Sequence, residues 1–328
     1  MHAYMARSVT LLAVPLLLAG VAAAIAPAAP AVAAPAGSVG IPTFVHNQLN
    51  GVAATSASNA WAVGCTHCFT SKGTALIEHW NGTGWQQVPS PAPAGSVLSG
   101  VAATSASSAW AVGSYTTGTS SKPLVLGWNG SAWKQVPSPA PADSVLSGVA
   151  ATSGSSAWAV GSATVGTSSK SLVLGWDGTA WKQVASLGSG GLFGVAAVSA
   201  SSAWAVGSTN RGRTLVVGWN GTAWARVASP SPGAHFIPLL DAVAATSARN
   251  AWAVGDSTNC GCGPGEPLIL HWNGTAWKQV PSPTSGGGTD LRGVAATSAS
   301  NAWAVGYSGS GIGPTKTVIL RWNGKTWS

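Results

Sequence analysis

Acidic side chains are scarce here: seven Asp and Glu stand in 328 residues, against fifteen Lys and Arg. Hydrolysis of a glycosidic bond ordinarily needs two carboxylates about 5 to 10 Å apart. Only Asp256 and Glu266, which share one loop, form an obvious pair. That poverty argues against a glycoside hydrolase or lyase, which stays the second functional class. Charged residues make up 7% of the chain, and the basic residues behind the net charge of +8 are scattered. With no Lys/Arg tract interleaved with spare aromatics, nucleic acid is not an expected partner. No segment after residue 33 is apolar and long enough to span a bilayer. The 46% hydrophobic content argues against a disordered chain.

What the chain has in quantity is tryptophan, 18 of them, at a fixed period. One set falls at Trp61, Trp110, Trp158, Trp204, Trp252 and Trp303, with spacings of 49, 48, 46, 48 and 51. A second set is Trp80, Trp128, Trp176, Trp219, Trp272 and Trp322, and a third is Trp85, Trp133, Trp181, Trp224, Trp277 and Trp327. Six copies of three use every tryptophan, so each reads as a repeated packing residue rather than an isolated ligand platform.

Each copy turns into four short strands. In the second copy Ala109-Trp110-Ala111-Val112 alternates as a strand does, and Leu124, Leu126 and Trp128 share one face of the third strand. Asn129-Gly130 signals a tight hairpin. Trp133 opens the fourth strand and Pro137 and Pro139 end it. Four antiparallel strands at a period near 48 predict an all-β fold, a six-bladed β-propeller whose small-residue first strand (Val101 to Thr104) lies nearest the axis. Lys134, Lys182, Lys278 and Arg226 are taken to recur at one position in the fourth strand and read as edge protection before they read as a basic ring.

V-A-A-T-S-x-x-x-A-W-A-V-G followed by G-x-x-W resembles the Asp-box, or bacterial-neuraminidase-repeat, propellers, and especially their photosystem-assembly-factor-like branch. The resemblance runs from Gly51 to Trp327. The box's glycine and tryptophan fall on Gly130 and Trp133, and on Gly274 and Trp277. Its aspartate position is held by Trp128 and Trp272. The sialidases of this group use an arginine cluster, a tyrosine with a glutamate, and an aspartate. Outside the first 33 residues only Tyr115, Tyr307, Glu78 and Glu266 supply the tyrosines and glutamates, so the resemblance transfers no catalytic residue.

Residues 1 to 33 read as a secretory signal: Arg7, an apolar core from Val9 to Ile25, and Ala31-Val32-Ala33 as an A-x-A cleavage site. Pro27 and Pro30 interrupt the run and disfavour an uncleaved anchor. The propeller then occupies 34–328, expected as a secreted, extracellular monomer. Copy six stops where its fourth strand should begin, so Ile41 to Val45 is expected to supply an outer strand beside Val318 to Trp322. The alternative is a lost seventh blade.

In such a meander the first and third turns share one face and are monotonous. The second turn and the blade-to-blade link share the other face and hold the variation, from six residues (Ser208 to Arg213) to eleven (Asp256 to Glu266). Binding residues are therefore expected on that variable face: His67, Tyr115, Arg211, Arg213, His235, Asp256, Glu266 and Tyr307. The four cysteines also lie there. In an exported protein Cys65/Cys68 and Cys260/Cys262 read as local disulfides. A zinc site built from both pairs and His67 is the lesser alternative; no metal and no cofactor are expected. Four Asn-Gly-Thr/Ser sequons (Asn81, Asn129, Asn220, Asn273) coincide with the repeated turn, and turn chemistry accounts for them. The first functional expectation is a non-catalytic propeller that binds a glycan, a cell-wall component or an extracellular protein. A scaffold that only presents loops to a partner protein is a further class.

Overall fold

The computed structural model describes residues 47–68, 73–233, 236–259, 265–283, 288–309 and 315–328. The expected leader, the segment 41–45, His235, Cys260 and Cys262 lie outside them. The described strands form six antiparallel meanders, one per repeat, arranged as propeller blades. Blade two is typical: an inner strand Ser96–Ser105, a second strand Ser108–Thr117, a third Ser120–Trp128 and an outer strand Trp133–Gln135, in that spatial order. In blade six three strands (Thr289–Ser298, Asn301–Ser308, Lys316–Trp322) are followed by Trp327, bridged to Trp322 at the start of a fourth.

Why A-W-A-V-G recurs follows from the pairing. Leu98 pairs with Gly113 but Gly100 pairs with Val112, so Ser99 is an extra residue on the inner strand. The bulge presses the inner backbone onto its neighbour. A Cβ on Gly113 would overlap the carbonyl oxygen of Val97, and the same clash faces Gly64, Gly161, Gly207, Gly255 and Gly306. Only glycine fits opposite such a bulge.

The blades stack through alternating side chains. Leu98, Val101, Leu124, Leu126 and Trp133 of blade two meet Trp61, Val63 and Ile77 of blade one in one buried cluster. At its centre Trp61 lies 4.8 Å from Trp128 and stands edge-on to Trp133 at 5.1 Å. The first tryptophan of one blade thus closes on the second and third of the next. The same triad recurs as Trp110/Trp176/Trp181, Trp158/Trp219/Trp224, Trp204/Trp272/Trp277 and Trp252/Trp322/Trp327. Aromatic pairs in tilted and edge-to-face contact are worth about 0.5–1.5 kcal/mol beyond their burial.

The expected Asn-Gly hairpin is present. Trp128 pairs directly with Trp133, so the loop is the four residues Asn129 to Ala132. Gly130 takes a φ of 95°, while the Asn129 Oδ1 accepts from the Ser131 and Ala132 amides (both 3.0 Å) and from the Ser131 hydroxyl (2.9 Å). The Ser/Thr of each sequon is therefore a turn residue bonded to its own asparagine. Asp177 does the same with Thr179 and adds an ion pair to Lys182 at 2.6 Å.

Candidate functional site

On the variable face two shallow pockets occupy the same place on two different blades. The blade-four pocket, about 150 Å³, is lined by Arg213, Thr214, Arg226, Val227, Ala228, Ser229 and Ser231. The blade-two pocket, about 230 Å³, is lined chiefly by Tyr115, Lys122, Gln135, Pro137 and Ser138. Register explains the equivalence. Gln135 pairs with Leu126 and Arg226 with Val217, while Lys122 and Arg213 each stand two residues before the first leucine of the third strand. Arg226 therefore falls one residue later than Lys134, Lys182 and Lys278, which pair with Gly127, Gly175 and His271.

The blade-four pocket is held in shape by its own hydroxyls. Thr214 shares a hydrogen bond with Ser229 (Oγ1 to Oγ, 2.8 Å) and donates to the Pro230 carbonyl at 3.0 Å, and its amide donates to Ser231 Oγ at 3.3 Å. The turn before it is fixed by the Arg213 amide donating to Thr209 Oγ1 at 3.1 Å. Arg213 and Arg226 are exposed and form no ion pair among the described residues. Two planar guanidinium groups beside hydroxyls suit a carboxylate or sulfate. Lys170 holds the same strand position in blade three, so blades two, three and four each carry a cation there.

A second polar group joins blades five and six. Arg292 donates to Asp241 Oδ2 at 2.9 Å, to Asp290 Oδ2 at 3.0 Å and to the Tyr307 hydroxyl at 3.4 Å. The Tyr307 hydroxyl in turn donates to Asp290 Oδ2 at 2.7 Å. Asp241 and Arg292 are the bulge residues of their inner strands, Leu-x-Ala/Gly-Val, which is how residues 51 apart meet. Burial works against the Arg292 charge, but Asp241, Tyr307 and Asp256 outweigh it and hold the guanidinium above its ordinary range. Burial, then the bond to Asp290, pushes the Tyr307 hydroxyl up. These acids are committed to an ion-pair network between blades, and Asp256 is buried beside it.

The expected residues thus divide. Tyr115 and Arg213 line the two pockets, and Arg211 is exposed in the turn beside Arg213. Tyr307 and Asp256 join the blade five–six network. Asp256 pairs with Pro267 and Ser257 with Glu266, so Asp256 and the exposed Glu266 point to opposite faces of their sheet. His67 lies in the blade-one turn with a φ of 46°, next to the Cys65–Cys68 disulfide, which is present at a Cα separation of 5.3 Å. Among the described residues no three His, Cys, Asp or Glu gather as metal ligands, and no helix is long and apolar enough to cross a membrane. Lys122, Asp241, Asp290 and Arg292 were not foreseen, and Arg226 had read as edge protection. Arg226, Asp241, Asp290 and Arg292 each depart from their repeat, as Arg226 does from Gln135, Gln183 and Gln279, whereas Lys122 repeats as Lys170 and Arg213.

No protein-family model matches the chain, and no curated protein matches it. Solved structures do. A YCF48 structure bound to D1 peptide is 16% identical with a TM-score of 0.55, covering 85% of this chain and 79% of that one. The fucose-specific lectin from Aleuria aurantia is 14% identical with a TM-score of 0.53, covering 85% and 93%. A polysaccharide lyase of family PL25, an ulvan lyase with bound saccharide, is 8% identical with a TM-score of 0.58, covering 84% and 80%. At these identities the likeness is one of fold.

Proposed function

We propose that this protein is an exported, non-catalytic carbohydrate-binding propeller that takes acidic polysaccharide chains along the variable face of blades two to four. One observation carries the proposal: the same small polar pocket recurs on blades two and four, and in blade four it lies between two guanidinium groups with no carboxylate partner among the described residues. Pockets of this size hold about one sugar ring each, and a polymer engaging several gains avidity without any single tight site. The Arg213/Arg226 pair selects chains bearing carboxylate or sulfate. Asp241 and Asp290 are tied into an inter-blade network, with Asp256 buried beside it and Glu266 on the opposite sheet face, which favours binding over acid/base chemistry. Support from the fold is general, since propellers with bound sugar and with bound peptide both superpose.

The test is a pull-down of the purified chain, from residue 34 onward, on insoluble polysaccharides and cell walls, beside Arg213→Ala/Arg226→Ala and Asp256→Ala/Glu266→Ala. Retention on acidic matrices, lost in the arginine variant alone, is the expected result. Retention unaffected by the arginine pair would overturn the assignment. Retention on no matrix would move the search to protein partners.

A further inference from the structure

The two pockets of the variable face stand at one blade position, yet they offer different chemistry. In blade four the guanidinium groups of Arg213 and Arg226 line a single recess of about 150 Å³. Each guanidinium carries five N–H donors in a planar fork and no acceptor. The hydroxyls add to the donors. The Thr214 hydrogen goes to the Pro230 carbonyl, so Ser229 supplies the hydrogen of the 2.8 Å Ser229–Thr214 bond. Ser231 Oγ accepts from the Thr214 amide at 3.3 Å, which leaves its own hydrogen for a ligand. The surrounding charge is dense as well. Asn210 Nδ2 donates to the Ser169 carbonyl at 2.9 Å, clasping the turn that carries Arg211 and Arg213 onto blade three beside Lys170. Lys170, Arg211, Arg213 and Arg226 are all exposed, and none is in an ion pair among the described residues.

Blade two presents the opposite balance. Its pocket, about 230 Å³, has a single cation, Lys122. Gln135 stands where blade four has Arg226, since each is the residue before the last valine of its outer strand. The Tyr115 hydroxyl and the Gln135 amide both donate and accept. Tyr115 pairs directly with Lys122, so phenol and ammonium share one face of the sheet. Ser138 Oγ accepts from the Ala140 amide at 3.3 Å. Pro123, Pro137 and Ala140 supply apolar walls. Mixed donors and acceptors over apolar walls suit the hydroxyls and the C–H face of an uncharged sugar ring.

We infer that the blade-four pocket takes an ester-linked tetrahedral oxyanion, a sulfate or phosphate monoester on the sugar chain, and that the blade-two pocket takes an uncharged ring of the same chain; this rests on the glycan-binding reading above. Oxygen count decides between the anions. A carboxylate presents two oxygens, and one bidentate guanidinium fork fills both. The second fork and the Ser231 hydroxyl would then face oxygens already engaged. A sulfate or phosphate monoester presents three terminal oxygens. Both forks can engage these by sharing one, and lone pairs remain for Ser231. The hydroxyl frame is set in advance by Thr214, so little ordering is lost when the anion enters.

The test holds the sugar backbone constant. Cellulose sulfate, cellulose phosphate and carboxymethyl cellulose, matched in charge per ring, are titrated calorimetrically into the chain from residue 34 at equal ionic strength. The expected result is that an ester polymer binds at least about ten-fold more tightly than carboxymethyl cellulose. Which of the two esters does so identifies the anion. Arg226→Lys keeps the charge and loses the fork, so the ester-to-carboxylate ratio should fall from about ten to about two. Carboxymethyl cellulose binding by that variant serves as its folding control. Tyr115→Ala/Gln135→Ala should weaken all three polymers by a similar factor and leave the ratio intact. Equal affinity for ester and carboxymethyl polymers, or a ratio unmoved by Arg226→Lys, would overturn the oxyanion assignment while leaving acidic-glycan binding in place. A Tyr115/Gln135 variant that binds as the parent does would overturn the ring assignment. Binding of none of the three polymers would overturn both this inference and the reading on which it rests.

Discussion

Replacing Trp252 by alanine tests whether the tryptophan triads hold the blades together. The Trp252 side chain is fully buried and touches three rings: His271 at 4.1 Å, Trp322 at 4.9 Å and Trp327 at 5.2 Å. Truncating such a residue costs about 3–5 kcal/mol, transfer and cavity together. Its indole N–H is buried with no acceptor among the described residues, so no hydrogen bond is lost with the ring. In a domain of more than about 250 residues, 1 kcal/mol moves the thermal midpoint by about 2 °C. The midpoint should therefore fall by about 6–10 °C by differential scanning calorimetry. Urea unfolding should show the same loss with an unchanged m value, because the unfolded surface is the same. A fall of less than about 2 °C would refute the triads as the main joint between blades.

Further outcomes follow from other contacts. Gly161→Ala places a Cβ on the Val145 carbonyl, so the bulge must open, and denaturation should show a loss of about 3 kcal/mol or more. Trp219→Phe removes the 2.9 Å bond from its indole to the Ala200 carbonyl, whereas Trp224→Phe removes an N–H that bonds nothing described. Each also loses ring volume, so the extra cost at Trp219 should be about 0.5–1.5 kcal/mol, seen as a difference in denaturation midpoints. Burial lowers the His79 and His271 imidazoles, which lie against Trp61 (tilted) and Trp252 (stacked) and donate to Asn59 and Asn250. A folded value below the unfolded one means that stability is full above the unfolded pKa and is lost as pH falls from there through the lower folded value. The midpoint should therefore drop as pH falls below about 6.5, and His79→Gln/His271→Gln should flatten that slope.

The repeat made the fold legible. Trp110, Trp128 and Trp133 recur in every copy, the second and third always five apart, because each is one corner of a triad. The strand faces were legible too, since Leu124, Leu126 and Trp128 alternate toward blade one. The Asn129 hairpin was legible from its Asn-Gly signal, while its four-residue length, set by a side-chain oxygen bonding two amides, was not. The pocket was half legible. Arg213 stood out in a variable turn, but Arg226 lies in a regular strand and shows only as an exception to glutamine. The Asp241–Arg292 pair was hidden because it joins bulge residues of two blades, a contact no single repeat displays.

The central claim is acidic-glycan binding at the blade-four pocket. The most direct measurement is a calorimetric titration of the chain from residue 34 with soluble polyuronate and with a neutral polysaccharide of equal length, repeated for Arg213→Ala/Arg226→Ala. Binding of the polyuronate, weakened by salt and reduced at least about ten-fold in the double variant (about 1.4 kcal/mol), with the neutral chain bound weakly in both, is the predicted result. Equal affinity for the two polymers, or a double variant that binds polyuronate as the parent does, would contradict it.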